Sequence, residues 1–283
     1  MTVTIHPTAL IAEGAVFADN VTIGAYSLIG SHVVLKENVT IHSHVVLEGR
    51  TTIGAGTEIF PFATIGLPPQ NIHCKGENAS VTIGEKCIIR EHVTIHAGTE
   101  KGGMKTTVGN GCYIMVGAHI AHDCHIGNSV IMANNATLGG HVIVGDYVNI
   151  GGLAAVRQFV RIGAHAMISG LAGVSEDIMP FANILAAKAT LRGLNLVGMR
   201  RRGLQRQDIQ DLRNAYNVLA KDQPGTLAER IQKMKNLYGH SPVVQDLITF
   251  IGDDSKRPLA LPLEGWECDA SDEGDEPRAA GCA

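Results

Sequence analysis

Large apolar residues recur every six positions along this chain. Stepping by six from Ile5 gives Ile11, Phe17, Ile23, Ile29, Leu35, Ile41, Leu47, Ile53, Ile59 and Ile65 without a miss. The register lapses over 67–80, resumes in phase at Ile83, Ile89 and Ile95, and lapses again over 97–107. It then continues in a shifted phase from Val108 through Ile114, Ile120, Ile126, Met132, Leu138, Val144, Ile150, Val156, Ile162 and Ile168 to Val174. A period of six fits neither a helix at 3.6 nor an amphipathic strand at 2. It fits a short strand and a sharp turn, repeated, and three such units close a triangular coil of roughly 18 residues. Each key residue then points inward and stacks on its counterpart in the next coil. At a parallel-strand spacing of about 4.8 Å, roughly nine or ten coils make a prism about 45 Å long. The composition agrees: aromatics are only 4% of the chain, as expected where a narrow interior takes aliphatic stacks and not rings. The expected fold is mainly β, a parallel β-helix.

The two lapses, 67–80 and 97–107, are rich in Gly, Pro and polar residues and read as loops thrown out from the prism. Binding groups often sit on such loops. After Pro180 the period ends. Ile209, Leu212, Tyr216 and Leu219 form one stripe at helical spacing, Leu227, Ile231, Met234 and Leu237 a second, and Val243, Val244, Leu247, Ile248 and Ile251 a third. The expected organisation is a coil over 1–180, a helical domain over 181–252 and a disordered acidic tail over 253–283.

A formal charge of −4 argues against a nucleic-acid scaffold. The six Cys form no C-x-x-C pair, so neither a zinc ribbon nor a disulfide framework is expected. The N-terminus has no basic region followed by an apolar run, and no stretch approaches a membrane span. These readings predict a cytoplasmic protein without stable membrane insertion.

The densest polar constellation is His119-Ile120-Ala121-His122-Asp123-Cys124-His125. One coil further lie Gly140 and His141, and a further coil places Gln158 in the same column. His beside an acid is the minimal general-base dyad: imidazole takes a proton near neutral pH, and a carboxylate fixes its tautomer and favours the imidazolium. Neighbours on a flat strand face opposite sides, so contact between His122 and Asp123 requires a turn there. A Gly-Gly pair one coil away can offer a backbone N–H to an oxyanion. The competing reading is a zinc site of the kind found in trimeric β-helix hydrases, since imidazoles are good zinc ligands. The 119/122 spacing presents no obvious three-His set, and no metal is expected.

The segments HIAHDC (119–124), NNATLGGH (134–141), IGG-x3-VRQF (150–159) and GLNLVGMRRRG (193–203) resemble the bacterial UDP-N-acetylglucosamine acyltransferases, over about residues 3–250. The resemblance implies a left-handed coil, a homotrimer with active sites in the clefts between subunits, and no cofactor. It also implies transfer of an (R)-3-hydroxyacyl chain from acyl carrier protein to the 3-OH of UDP-N-acetylglucosamine, the first step of lipid A synthesis. On this mapping His122 is the base, Asp123 its orienting acid and Gly140 the oxyanion donor. Gln70, His73, His119, His141 and Gln158 orient the sugar nucleotide, while Asn195, Arg201 and Arg202 contact the phosphate and uridine side. Gly170 is the acyl-length position, where a glycine leaves room for a long chain, and Lys188 lies near the acyl end. The sequence departs from the family at Arg157 and Lys188, where His is usual, and at His73, where a loop Lys is usual. Some members acylate a 3-amino sugar, and sister enzymes on this scaffold use other sugars. The HIAHDC and RRRG segments argue against the sister enzymes.

Overall fold

The computed structural model describes residues 2–76, 78–185, 190–221 and 223–262. Most strands are only two residues long, and in each the second residue is the apolar key residue, buried from Ile23 onward. Among the described residues the strands stack into faces of 11, 9 and 8 members, forming the left-handed parallel β-helix that the resemblance implied. Each strand pairs in parallel with the one a full coil later, as in Thr4 with Thr22 and Ile5 with Ile23. Interior side chains therefore form columns of Ile, Leu and Val whose members are almost wholly excluded from solvent. Removing such aliphatic surface from water supplies about 1.5–3 kcal/mol per side chain. Polar residues on the inside are satisfied locally. The Thr57 hydroxyl donates to Gly84 O at 2.8 Å and accepts from Cys87 N at 3.1 Å.

The two loops explain the phase record of the sequence. Across the first, Ile59 pairs with Ile89, a step of 30 in place of 18. Across the second, Ile89 pairs with Ile114, a step of 25. The first insertion is a multiple of six and preserves the phase; the second exceeds six by one and shifts it. Both loops end sooner than the sequence suggests. Ser80–Ile83 and Lys105–Val108 are four-residue strands that pair with each other, and Ser80–Ile83 also pairs with Arg50–Ile53.

The turns between faces place non-glycine residues at positive φ, among them Tyr26, His44, Phe62, Asp123, His141, Tyr147, Phe159 and His165. Such a conformation costs roughly 1–2 kcal/mol for an L-residue. Here it directs the side chain outward along an edge of the prism, where it meets the equivalent side chain of the next coil. Rings at these turns lie outside the coil interior: Tyr26, His44, Phe62 and His92 form one exposed ladder with centroids 5.1 Å apart.

The coil continues beyond the expected stop at 180. Ala182–Leu185 adds one more parallel strand against Met167–Ile168, and Thr190–Leu194 turns back antiparallel and closes that sheet. Lys188 lies outside the described residues. Among the described residues four helices follow: α1 (Leu196–Arg201), α2 (Arg206–Leu219), α3 (Leu227–Tyr238) and α4 (Pro242–Gly252). Helix α1 has no sequence stripe because it is six residues long. The α2 stripe is buried as expected, and the buried Tyr216 hydroxyl donates to Pro180 O at 2.5 Å, tying α2 to the end of the coil. The α3 stripe is incomplete: Met234 and the aliphatic stem of Arg230 are buried, whereas Leu237 is exposed. Residues 253–262, expected in a disordered tail, instead fold back onto the prism, with Leu259 bridging Asp177. Residues 263–283 lie outside the described residues.

Candidate active site

The strand His119–Ile120 ends in a turn that carries His122 and Asp123. Asp123 has φ 59°, which brings its carboxylate to the side of the preceding imidazole. The condition set by the sequence is met: His122 Nδ1 lies 2.8 Å from Asp123 Oδ2. A carboxylate only accepts, so Nδ1 carries the proton and Nε2 is the basic nitrogen.

Asp123 is buried, at 2% exposure. Oδ1 accepts from Thr99 N–H at 2.8 Å and Oδ2 from the Thr99 hydroxyl at 2.6 Å. Its own N–H donates to Thr106 Oγ1 at 2.9 Å. The second loop makes this possible by being bare. A Cβ on Gly102 would stand 2.0 Å from Asp123 Cγ, and one on Gly98 would stand 2.8 Å from Oδ1. The loop backbone thus wraps the carboxylate and fixes its orientation.

One coil on, the His122 ring lies against Gly140. A Cβ there would meet Cε1 at 2.6 Å and Nε2 at 2.7 Å. The neighbouring backbone is paired, with His141 N–H donating to His122 O and Gly139 N–H to Val156 O. Among the described residues the Gly140 N–H has no acceptor, as an oxyanion donor requires.

The other imidazoles surround the dyad. His141 meets the His122 ring edge-on at 5.1 Å, stacks on Phe159 at 4.4 Å, and brings Nε2 to 3.9 Å from Asp123 Oδ2. His119 Nδ1 is 2.6 Å from Thr94 Oγ1, and His96 lies edge-on behind it at 5.1 Å. Burial holds the pKa values of His119 and His141 below the usual imidazole value, and the nearby His122 adds to this; for His141 the charge of Asp123 works the other way. Burial, then the charges of His119 and His122, lowers His96 to about 4. These rings favour the neutral form around the dyad.

The structure brings His119, His122, Asp123, Gly140, His141 and Gln158 to one edge of the prism. Gln158 is exposed there in the turn with Phe159. The remaining expected residues lie elsewhere in the protomer. Gln70 and His73 are exposed in the first loop, and Asn71–Lys75 with Thr99–Lys101 of the second loop enclose a cavity of about 410 Å³. Asn195 and Arg202 belong to a second edge. Asn195 Oδ1 caps α1 by accepting from Gly198 N–H, and its Nδ2 donates to His165 O at 2.8 Å. Arg202 donates to Tyr147 O at 3.1 Å and lies over the Tyr147 ring. Arg201 is exposed at the end of α1. Gly170 sits on the third edge beside Leu171, where a Cβ would approach Gly152 O at 3.0 Å.

Sequence reasoning missed Thr99, Thr106, His96 and Phe159. Phe159 was within reach, since it lies one coil beyond His141. Thr99 was not, because it sits in a loop where the register carries no information. His122, Asp123 and His141 place ligand atoms within 4.8 Å of one another, the spacing of a metal site. Asp123 Oδ2 is already committed to Thr99 and His122, so this trio fits a dyad better than an ion cage.

A family model described as "Udp N-acetylglucosamine O-acyltransferase; Domain 2" matches residues 177–260, and one for bacterial transferase hexapeptides matches 105–140. A protein of Azorhizobium caulinodans named acyl-[acyl-carrier-protein]–UDP-N-acetylglucosamine O-acyltransferase is 49% identical over 92% of this chain and 96% of its own. One of the same name from Rickettsia canadensis is 51% identical over 89% and 96%. Among solved structures, LpxA from Acinetobacter baumannii superposes with a TM-score of 0.87 at 38% identity, over 90% of this chain and 98% of that one. The UDP-N-acetylglucosamine acyltransferase of Campylobacter jejuni gives 0.84 at 38%, over 91% and 99%.

Proposed function

The chain belongs to the UDP-N-acetylglucosamine O-acyltransferases, and from that premise we propose that it moves an acyl group from acyl carrier protein to UDP-N-acetylglucosamine with His122 as general base. The observation that carries the residue assignment is the buried His122–Asp123 pair with its ring against Gly140. His122 Nε2 takes the proton of the sugar 3-hydroxyl as that oxygen attacks the thioester carbonyl of an (R)-3-hydroxyacyl group. The tetrahedral oxyanion forms at the Gly140 N–H. Asp123, held by Thr99, stabilises the imidazolium. Collapse breaks the carbon–sulfur bond, and the imidazolium returns its proton to the departing thiolate. This is the first step of lipid A synthesis.

The protein works as a homotrimer in the cytoplasm. Two facts support this: the dyad and α1 lie on different edges of one protomer, so a cleft between copies would unite them, and no described helix is long and apolar enough to cross a membrane. In such a cleft Gln70, His73, His119, His141 and Gln158 orient the sugar nucleotide, Asn195, Arg201 and Arg202 hold its phosphate and uridine side, and the acyl chain runs toward Gly170.

The test is His122→Ala with purified acyl carrier protein thioesters and UDP-N-acetylglucosamine. A well-placed general base contributes about 10²–10⁴-fold, so turnover falls by that order while the thermal unfolding curve is unchanged. Normal turnover in this variant ends the assignment.

A further inference from the structure

The last described segment of the chain returns to the catalytic edge. After α4, Asp177 N–H donates to Pro258 O at 2.8 Å and Ala260 N–H to Asp177 O at 2.9 Å. The Asp177 carboxylate is fully buried; it accepts from Arg161 N–H at 2.8 Å, Arg161 Nε at 2.7 Å and the Ser255 hydroxyl at 2.5 Å. Arg257 donates Nε and Nη2 to Gln158 O at 3.1 and 3.0 Å. Residues 255–260 are thus a strap fastened to the turn that carries Gln158 and Phe159.

Lys256 stands between these anchors. Its Nζ lies 4.5 Å from the Phe159 ring centroid, in a row of rings that stacks on His141 and then meets His122 edge-on. Lys256, Asp254, Phe159, His141, Arg161 and Asp123 share one cavity of about 240 Å³. The Arg161 guanidinium is engaged by Asp177. Among the described residues Lys256 forms no ion pair, although Asp254 shares its cavity. A cation held at the rim of a catalytic wall, with no protein anion closed upon it, is placed to receive an anion from outside.

We propose that Lys256 is a substrate-binding residue that holds a phosphate of a bound substrate at the end of the catalytic edge. The inference rests on the acyl-transfer reading, in which both substrates carry phosphate: the nucleotide its diphosphate, the carrier protein its phosphopantetheine phosphodiester. Lys256→Gln removes the charge and keeps most of the stem, and Lys256→Arg restores the charge.

Steady-state kinetics of the full chain, varying each substrate in turn, tests this. Loss of one exposed charge-assisted contact raises KM by about threefold to tenfold in Lys256→Gln, with kcat within about twofold, and Lys256→Arg recovers most of the loss. A rise confined to UDP-N-acetylglucosamine identifies the diphosphate, and one confined to the acyl carrier protein identifies the phosphodiester. Unchanged KM for both substrates overturns the proposal. So does a fall in kcat at constant KM, which would make Lys256 only a prop for the His141 stack. His122→Ala in the same assay separates the two readings, because its loss of turnover beside an unaffected Lys256→Gln sinks this inference alone.

Discussion

Gly140 acts through the atom it lacks. Its φ lies outside the left-handed region, so its backbone would accept alanine, yet a methyl there would enter the His122 ring. The residue is required for the site and not for the coil. Gly140→Ala is therefore expected to fold and melt as the parent does while losing turnover by about 10²-fold, the cost of misplacing a reacting group by about an ångström. Paired kinetic and calorimetric measurements check this; full activity would show that the ring does not need that surface. The dyad was legible in the sequence because His122, Asp123, Gly140 and Gln158 obey the repeat, and stepping by one coil brings them together. Thr99, which gives Asp123 two hydrogen bonds, was illegible because nothing in one sequence fixes where a seven-residue insertion folds.

The strand Thr94–His96 and the loop after it form an element whose stability depends on pH. His96 is buried, its Nδ1 has no hydrogen-bond partner, and its pKa is lowered to about 4, whereas an unfolded histidine titrates at about 6.5. Between those values the unfolded chain binds a proton that the folded chain refuses. The contribution of neutral His96 is therefore complete above about pH 6.5 and declines as the pH falls toward 4. Urea unfolding from pH 7 to 4.5 is expected to show stability falling with acidity. His96→Gln is expected to reduce that slope by up to about 1.4 kcal/mol per pH unit, the value for one proton. An identical slope in the variant would place the uptake elsewhere, for example at His119, His141 or His165, whose pKa values are also lowered. At this scale the sequence announced both loops by loss of register, but not the lengthened strands beside them. Nor did it announce α1, which is too short for a periodic stripe and is specified by its Asn195 cap.

For the whole molecule, the decisive fact is that the expected site residues occupy three edges of one prism. If clefts between copies reunite them, two disabled subunits can repair each other. Co-expressed His122→Ala and Arg201→Ala chains, each inactive alone, are expected to form mixed trimers with about a quarter of parental activity, since about one cleft in four receives both intact groups. Additive residual activity would place both residues in one subunit's site. Mass measurement of the native protein provides the oligomer count. The architecture itself was legible almost to its end, because a six-residue period leaves few alternatives. The return of residues 253–262 was not, since a segment that is polar over 253–257 and apolar with two prolines over 258–262 carries no period that predicts docking.

The two insertions have a lasting consequence. Both leave the prism and re-enter it with the parallel pairing carried across, apart from a local register shift between Ile65 and Leu67 where the first departs, so the rungs on either side hardly register what has been spliced between them. A scaffold with that property can exchange its side decorations freely. By contrast, deleting one residue from a rung would turn every later side chain inside out as far as the next bend that absorbs the error. New chemistry on such a spiral staircase is therefore acquired at the landings and not on the steps.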